Sequence, residues 1–357
     1  MSTPNNVPAQ VETRSAKELI QLSKNNPPAP IIDGLLAEGE ILLIHGEEES
    51  FKSVLAVQLA ESVASGKPLL RTWNAPVPHK VGIVETEIHE QRLGDRLKRM
   101  FPGEDPPDGL VFLSDKATKA LKRGKTLEAK LEFLRQWVRE QDLDALVLDT
   151  ANDFFRGNDS PNDETAAGEF FDRLRDLGIT CVVVRHDHKP KGIPSQPGSP
   201  ENPNNKIRGS AEWKEDPETI LYLDRIDRRT HEVRFEVGKL RYGRKPDPMT
   251  LWFDMKTFRL VPLPPPIAVL EDRPKSRQSI VDECKERFGL GHTRTSEMLE
   301  ELKPFLNETQ ASHSKVFELD RGRAAEAGWG EFLNPCSTGV AETAAGNIPQ
   351  DPGDQPI

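Results

Sequence analysis

The chain has 357 residues, of which 36% are hydrophobic and 30% charged, and its 58 acidic residues outnumber its 48 basic ones to give a net charge of −10. This length predicts one large domain and a smaller one, and the acidic balance excludes a protein that coats nucleic acid with its whole surface, leaving only local basic loops for such contacts. No apolar run reaches the ~18 residues of a membrane span, so we expect a soluble cytoplasmic protein without a membrane partner. The three cysteines have no metal-ligand spacing, so we expect neither a disulfide framework nor a zinc site.

The N-terminal 30 residues are predicted to form a tail with one short helix. Residues 1–14 are polar and are expected to be disordered. Ser15 and Glu18 have the spacing of a capping box, which predicts a helix through Leu22. The Asn-Asn-Pro-Pro run at 25–28 then ends the helix.

Over residues 31–260, short apolar runs alternate with helix-like stretches. Each apolar run ends in a polar residue, which is typical of a strand buried in a parallel sheet with a ligand site at its carboxyl end. The alternation predicts an α/β fold in which a mainly parallel, twisted sheet is flanked by helices. The predicted strands are 41–44, 81–84, 145–148 and 181–184, extended by antiparallel strands at 220–224, 232–239 and 250–254, and the predicted helices are 54–65, 90–100, 126–141 and 165–177.

The strand at 41–44 leads into a polar loop and then a helix, the order that a phosphate-binding loop requires. Lys52 would reach the β- and γ-phosphates of ATP, and the Ser53 hydroxyl would ligate Mg²⁺. However, Phe51 replaces the usual second glycine, and the three glutamates at 47–49 would repel phosphate unless they face solvent. An ordinary acidic turn is therefore the alternative. The expected nucleotide-binding residues are Gly46, Glu49, Ser50, Phe51, Lys52, Ser53 and Val54.

Two acidic strand ends favour the phosphate-loop interpretation. Asp149 ends an apolar strand, where a carboxylate can hold Mg²⁺ beside a phosphate loop or can merely cap its strand. The strand at 81–84 is followed by Glu85, Thr86 and Glu87, and a carboxylate here can polarise the attacking water. We choose Glu87 for this role and keep Glu85, on the same side of the strand, as the alternative. A solvated strand end with no catalytic role also remains open.

The strand at 181–184 is followed by Arg185 and His186, and a second histidine stands at 188. The pair of histidines has no third ligand nearby, so a metal site is disfavoured and His186 is expected to contact the γ-phosphate instead. The Pro-, Gly-, Ser- and Asn-rich segment that follows has basic ends that can grip a nucleic-acid backbone, although a simple disordered insertion is the alternative. These basic residues are Lys189, Lys191, Lys206 and Arg208.

Lys239 and Arg241 lie in a basic segment at the end of a late strand. Residues spaced by one share a side of a strand, so both can project towards the nucleotide of a neighbouring subunit. Arginine suits this role because its planar guanidinium stabilises the charge that spreads over a transferring phosphoryl group. A basic surface cluster without such a role is the alternative.

The C-terminal part is predicted to be divided into three. Residues 261–274 begin with Val-Pro-Leu-Pro-Pro-Pro, which indicates a stiff linker. Residues 275–325 contain candidate helices at 278–288 and 295–302, which predict a small winged-helix-like module that binds DNA or a protein partner. Residues 326–357 are rich in Gly, Pro and Thr and are expected to be disordered.

In their order and spacing, these stretches resemble the RecA-like ATPase domain of RepA-type hexameric helicases, relatives of the DnaB-type replicative helicases. The resemblance covers about 31–258, and no single motif decides it. Phe51 and Arg185 depart from the family pattern, which has a glycine at the first position and often a histidine at the second. The stretches that carry it are 32–36 (Ile-Asp-Gly-Leu-Leu), Lys52-Ser53, 64–68 (Ala-Ser-Gly-Lys-Pro), Glu87, 148–149, 185–186, 207–211 (Ile-Arg-Gly-Ser-Ala) and 239–243.

The resemblance implies a P-loop ATPase that forms a ring, usually of six subunits, with ATP and Mg²⁺ bound between neighbours. Loops at 154–162 and after His186 would line a pore and contact single-stranded DNA. The implied roles are ATP and Mg²⁺ binding by Lys52 and Ser53, metal support by Asp149, water activation by Glu87, γ-phosphate sensing by His186 and action in trans by Lys239 and Arg241.

The function we expect is an ATP-driven motor on single-stranded DNA, a helicase from a phage, plasmid or integrated element. The alternative is a nucleotide-dependent assembly switch that recruits a partner protein without unwinding DNA. The acidic charge and Phe51 favour the switch, whereas the basic-ended loop after His186 favours the motor. A small-molecule kinase fits poorly because it has no use for a Lys-x-Arg pair aimed at a neighbour.

Overall fold

A computed structural model describes residues 13–25, 27–124, 126–155, 163–186, 211–227, 231–311 and 314–326. The four basic residues expected to grip nucleic acid, at 189–208, lie outside these ranges, as do most of the two ends predicted to be disordered.

The predicted capping box is present: the Ser15 N–H donates to the Glu18 carboxylate at 2.6 Å, and the Glu18 N–H donates to Ser15 Oγ at 3.2 Å. It begins helix α1 (Ala16–Asn25), which ends beyond the predicted Leu22.

Strands and helices alternate through the body of the protein. The strands are β1 (Pro30–Ile32), β2 (Leu36–Ala37), β3 (Ile41–Gly46), β4 (Val81–Glu85), β5 (Leu110–Phe112), β6 (Ala145–Asp149), β7 (Thr180–His186), β8 (Thr219–Asp227), β9 (Glu232–Leu240), β10 (Met249–Asp254) and β11 (Arg259–Val261). The helices between them are α2 (Lys52–Ser65), α3 (Glu90–Met100), α4 (Asp115–Arg123), α5 (Leu127–Gln141), α6 (Glu164–Arg175) and α7 (Glu212–Glu215). Within the described ranges, none of the helices has both the length and the apolar composition of a membrane span.

The main sheet has nine strands in the order β11-β10-β9-β8-β3-β7-β6-β4-β5. The six strands from β8 to β5 are paired in parallel, as the uninterrupted apolar runs predict. One apolar core lies between the sheet and helices α2 and α3, and a second lies between the opposite face and helices α4, α5 and α6. The predicted α/β fold class, with its mainly parallel sheet and flanking helices, is confirmed.

The segment 220–224 differs from its prediction. We expected it to extend the sheet as an antiparallel strand, but β8 pairs in parallel with β3, and only β9 to β11 are antiparallel. The chain returns to the amino end of β3 before β8 begins, and Glu218 fixes it there: its carboxylate accepts from the Ile41 N–H at 2.9 Å. A short apolar run has the same pattern in either direction, so its sequence alone could not give the pairing.

Helix α2 is enclosed on all sides, and every residue in it except Ser53 and Ser65 is buried. The sheet covers one side, and the edge strand β11 closes over the other. Gln58 binds the Leu260 backbone twice, donating to its C=O at 3.1 Å and accepting from its N–H at 2.8 Å. The helix that follows the candidate phosphate loop is therefore held rigidly from both sides.

Most of the expected linker at 261–274 is packed into the fold, and residues 272–274 at its end are exposed. Val261 ends β11, and the prolines begin helix α8 (Pro265–Leu270), of which every residue is buried. Pro is favoured in the first turn of a helix, where its missing N–H has no partner to lose. These residues pack into the core of the C-terminal module instead of separating it from the sheet.

The C-terminal module has one three-stranded antiparallel sheet and three further helices. Its elements are β12 (Lys275–Ser276), α9 (Arg277–Phe288), α10 (His292–Leu302), β13 (Leu306–Ala311), β14 (Ser314–Leu319) and α11 (Arg321–Ala324), with the strand order β12-β14-β13. Arg287 joins the module to the main sheet through a 2.7 Å ion pair with Asp254, whose side chain is fully buried. The binding of DNA or protein by this module stays a prediction.

Candidate nucleotide-binding site

The loop between β3 and α2 has the backbone shape of an anion-binding cradle. Glu49 and Phe51 both have left-handed backbone angles, with φ of 62° and 64°. Such turns point successive N–H groups towards one side, where they can bind phosphate together with the N-terminus of α2. Gly46, at φ 152°, is required because of close packing: a Cβ there would lie 1.9 Å from the Leu223 carbonyl oxygen. The loop therefore needs a glycine at 46.

Lys52 lies inside this cradle and is 3% exposed. Its ammonium donates to the carbonyl oxygens of Gly46, at 2.9 Å, and of Glu47, and it lies 3.3 Å from Ser50 Oγ. An ammonium that binds a ring of oxygen atoms can exchange some of them for phosphate oxygens at little cost. The side chain is thus held at the mouth of the loop, as a phosphate-binding lysine should be.

Two of the three glutamates of the loop face solvent. Glu48 and Glu49 are exposed, and the Glu49 carboxylate lies 3.4 Å from the Arg225 guanidinium on β8. The condition that we set for phosphate binding, that the three glutamates face solvent, is met at 48 and 49, whereas Glu47 is half-buried.

Phe51 anchors the phosphate loop to β10, in the antiparallel part of the sheet. Its ring stacks on Phe253 of β10 with 4.2 Å between the ring centroids and an interplanar angle of 17°. The Arg225 guanidinium lies 5.2 Å from the same ring, and His231 contacts its edge at 6.0 Å. Phe51 thus keeps the left-handed backbone of the glycine that it replaces and adds an aromatic contact that glycine lacks.

Ser53, in the first turn of α2, meets Asp149 at the end of β6, although β7 lies between β6 and the strand β3 that leads to α2. The Ser53 hydroxyl hydrogen-bonds to the Asp149 carboxylate, which partly offsets the effect of burial in raising the pKa of Asp149. Asp149 is 3% exposed, and among the described residues its Oδ1 has no hydrogen-bond partner. A hydroxyl and a buried carboxylate with an unpaired oxygen form a suitable donor set for Mg²⁺, which prefers oxygen ligands and keeps several waters.

Hydrogen bonds lock the ends of β4, β6 and β7 together. The Thr86 N–H donates to the Asp149 carbonyl at 2.7 Å, and the Thr150 N–H donates to Thr86 Oγ1 at 3.1 Å. The Thr150 hydroxyl in turn donates to the Val184 carbonyl at 3.1 Å. The acidic and basic side chains at these three strand ends are therefore held in one rigid frame.

The two candidate bases have different environments. Glu85 is buried and accepts hydrogen bonds from the N–H groups of Glu87 and Ile88, and burial together with the nearby Asp149 raises its pKa to about 8. Glu87 is half exposed, and its carboxylate lies 3.2 Å from His186 Nε2. That contact lowers the pKa of Glu87, against the opposing effect of burial. Glu87 is therefore the ionised and accessible carboxylate, whereas Glu85 stabilises the turn.

Arg185 and His186 point to opposite sides of β7. His186 faces Glu87, on the side of the phosphate loop. The Arg185 guanidinium lies 4.2 Å from the ring centroid of Trp213, in the second core. Arg185 thus has a structural position, and the second histidine, at 188, lies outside the described residues. No group of three or more metal-binding side chains occurs in the part of the chain that the structure describes.

Lys239 and Arg241 lie at the opposite end of the sheet from the phosphate loop. Leu240 pairs with Thr219, which pairs with Leu42 at the start of β3, whereas Gly46 ends that strand. Four residues of strand, about 13 Å at ~3.3 Å per residue, separate the two levels. Lys239 donates to the carbonyl oxygens of Lys214 and Glu215 at 2.9 Å and 2.7 Å, and Arg241 lies 3.2 Å from the Glu218 carboxylate. Neither side chain is placed beside the nucleotide site of its own subunit.

Sequence reasoning missed several residues that shape the site. Arg225 and Phe253 contact the loop from strands far along the chain, and no local pattern marks them. Lys122 and Lys130 contact the segment after Asp149 from α4 and α5. Lys130 alone carried a signal, because a lysine among the apolar residues of an amphipathic helix is unusual.

Comparison with known proteins identifies a family for this chain. A family model described as an AAA domain matches residues 8–192, more than half of the chain. No curated protein matches the sequence. Among solved structures, the chain is similar to a KaiC-like protein from the hyperthermophilic archaeon Pyrococcus horikoshii OT3, with 13% identity and a TM-score of 0.45 over 66% of this chain and 94% of that one.

Proposed function

The chain belongs to the AAA domain family, and from that premise we propose that it is an ATP-hydrolysing, RecA-like motor that acts on single-stranded DNA. The observation that carries the ATPase part is the pairing of Ser53 with the buried Asp149, directly beside Lys52 and the phosphate loop. Mg²⁺ bound there would neutralise charge on the β- and γ-phosphates. An acidic capping turn would have no use for a buried carboxylate oxygen without a partner.

The same frame supplies groups for the hydrolysis step. Lys52 and the loop N–H groups bind the phosphates, and Ser53 and Asp149 provide the metal ligands. Glu87 is ionised and can orient and polarise the water that attacks the γ-phosphate. His186, 3.2 Å from Glu87, can donate to a γ-phosphate oxygen and so link the state of the nucleotide to the end of β7. The roles of these residues are part of the proposal.

The position of Lys239 and Arg241 supports a ring as the working form. Both lie about 13 Å along the strand direction from the level of their own phosphate loop. Side chains at that end do not reach the site of their own subunit, so the proposed role in trans requires the nucleotide site of a neighbour in a head-to-tail ring. We propose a hexamer on the resemblance to ring helicases, with DNA contacts supplied by the basic segment at 189–208.

A nucleotide-dependent assembly switch is the second candidate function, and Phe51 favours it. Its stacking on Phe253 fixes the loop in one conformation, and the acidic residues of the loop reduce its attraction for phosphate. A protein of this kind would bind ATP and oligomerise, but it would hydrolyse ATP slowly and independently of DNA.

Steady-state ATP hydrolysis with and without a single-stranded DNA oligonucleotide tests the proposal. The Lys52→Ala variant removes the phosphate-binding ammonium, and Lys98→Ala, which changes an exposed lysine on α3, is the matched control. Hydrolysis that DNA stimulates, that Lys52→Ala abolishes and that Lys98→Ala preserves would support the motor. ATP binding without stimulated turnover would support the switch, and the absence of nucleotide binding would refute both.

A second measurement tests the DNA contacts. Binding to the oligonucleotide should weaken steeply as salt rises, because each neutralised phosphate releases counterions. Replacing Lys206 and Arg208 with alanine should reduce that salt dependence. If the affinity for the oligonucleotide changes neither with salt nor with these alanine substitutions, the proposed role of the 189–208 segment is contradicted.

A further inference from the structure

Lys130 is a fully buried lysine that the nucleotide site does not use. It lies on α5 and is 1% exposed, yet its Nζ donates to the carbonyl oxygens of Asp153 at 3.0 Å and Phe154 at 3.1 Å. These oxygens belong to the short 3₁₀ turn Ala151–Phe154, which one residue, Thr150, separates from Asp149. Burying an ammonium is costly unless hydrogen bonds compensate for the lost water. The contact therefore holds the backbone after the candidate metal ligand in one position.

Lys122 holds the same turn from a different helix. It lies on α4, and its Nζ is 2.9 Å from the Asp153 carboxylate, which is only 11% exposed. The same ammonium donates to the carbonyl oxygen of Thr86. One side chain thus joins the turn after β6 to the end of β4.

Thr86 is the residue between Glu85 and Glu87, so its backbone sets where both carboxylates lie. On its other side, its N–H donates to the Asp149 carbonyl at 2.7 Å. The Thr86 peptide is therefore held by the sheet through its N–H and by Lys122 through its carbonyl. The segment that carries Glu87 is also held by the Glu85 carboxylate, which accepts from the N–H groups of Glu87 and Ile88. Without Lys122, it would lose its side-chain link to Asp153 in the turn after β6.

The link through Lys122 matters because Glu87 lies beyond the end of its strand. β4 ends at Glu85, and the half-exposed carboxylate of Glu87 lies 3.2 Å from His186 Nε2. A carboxylate that orients an attacking water must be held to within a fraction of an ångström relative to the phosphate. The sheet ladder that fixes Asp149 does not extend that far.

We propose that Lys122 and Lys130 are positioning residues for ATP hydrolysis. They clamp the 3₁₀ turn after Asp149 against the end of β4 and so set the distance between Glu87 and the Ser53–Asp149 pair. This inference rests on the proposed ATPase function. Neither lysine belongs to the phosphate loop or to the Ser53–Asp149 pair, so we expect their removal to affect turnover without removing a phosphate contact.

The test compares Lys122→Met, Lys122→Arg and Lys130→Met with Lys119→Met, which alters an exposed lysine on the same helix as Lys122. Methionine keeps much of the apolar stem and removes the charge. We expect Lys122→Met to lower kcat by roughly ten- to a hundredfold, the effect of a misplacement on the order of 1 Å, with the KM for ATP within about twofold of wild type. Lys122→Arg should recover most of the activity, and Lys119→Met should match wild type.

Amide hydrogen exchange over residues 150–155 of the full chain provides a readout that does not depend on activity. It should become faster in Lys122→Met and Lys130→Met and stay unchanged in Lys119→Met. If Lys130→Met fails to fold, the Lys122 variants still decide the matter.

The outcomes separate this inference from the proposed function. If wild type hydrolyses no ATP, the proposed function fails and this inference fails with it. If wild type hydrolyses ATP and Lys122→Met does so equally well, only the inference is overturned. A parallel loss of kcat, nucleotide affinity and thermal stability in Lys122→Met would show a general structural role and would also overturn it.

Discussion

Phe51 gives the sharpest test of how the phosphate loop is built. Its ring stacks on Phe253 at 4.2 Å, while its backbone, at φ 64°, has the conformation that glycine adopts without strain. Phe51→Gly removes the ring and relieves the strain. Phe51→Ala removes the ring and keeps the strain, so the pair separates the two effects.

The expected magnitudes follow from the burial of the ring. Truncation of a fully buried Phe costs about 3–5 kcal/mol, so the half-buried Phe51 ring should contribute about 2 kcal/mol, including the stack on Phe253. The left-handed backbone costs a residue with a Cβ about 1 kcal/mol or more. We therefore expect Phe51→Ala to destabilise the protein by about 2 kcal/mol and Phe51→Gly by about 1 kcal/mol.

Loss of the anchor should also weaken nucleotide binding. A loop without the Phe253 contact must be ordered when phosphate binds. An ordering cost of about 1 kcal/mol in the binding free energy raises the Kd for ADP roughly fivefold. Thermal unfolding should show a Tm lower by a few degrees in each variant, at ~2–4 °C per kcal/mol. Isothermal calorimetry with Mg-ADP measures the change in affinity.

Phe253→Leu serves as the matched perturbation, because it removes the partner ring and leaves Phe51 in place. If the stack is the anchor, the double variant with Phe51→Gly should cost clearly less than the sum of the single changes. An increase in both Tm and nucleotide affinity in Phe51→Gly would refute the reasoning. Phe51 would then obstruct the loop instead of supporting it.

Three further predictions concern the frame around the site. Gly46→Ala places a methyl group 1.9 Å from the Leu223 carbonyl oxygen, so it should lower the free energy of unfolding in urea by about 3 kcal/mol and abolish Mg-ADP binding. The control Gly94→Ala has open space around its new Cβ and should do neither. Equal behaviour of the two variants would contradict the packing argument. Gln58→Leu leaves both backbone groups of Leu260 unpaired and should destabilise the protein by about 2–3 kcal/mol. A change in the free energy of unfolding under about 0.5 kcal/mol would mean that this contact does not hold β11. Because burial raises the pKa of Glu85 to about 8 in the fold, its contribution to stability is present at low pH and is lost as pH rises from about 5 to 8. Glu85→Gln should therefore gain stability relative to wild type over that range in urea titrations, and a constant difference would show that Glu85 does not titrate there.

Much of the site could be predicted from local sequence, because its parts are local. Apolar runs of strand length that end in polar residues identified β3, β4, β6 and β7, and the strand–loop–helix order identified the loop with Lys52 and Ser53. The side of the sheet followed as well, since the carboxyl ends of parallel strands share one edge. Period and chain order are enough for such inferences.

The less reliable predictions were those in which several folds share one sequence pattern. The run at 220–224 is equally compatible with parallel and antiparallel pairing, and only the return of the chain to Ile41 decided between them. The proline-rich run at 261–266 has the composition of a linker, yet it became a strand end and a buried helix because a core was available to cover it.

The sequence by itself determined the α/β class, the phosphate loop and the acidic and basic residues at the strand ends, because each depends on neighbours along the chain. Only the tertiary structure decided which distant side chains complete them: Phe253 beneath Phe51, Arg225 beside Glu49, and Lys122 and Lys130 around the turn after Asp149. It also placed Lys239 and Arg241 at the end of the sheet far from their own loop. Contacts between residues on separate strands and helices depend on how those elements pack together, and nothing in a local pattern of hydrophobicity specifies that packing.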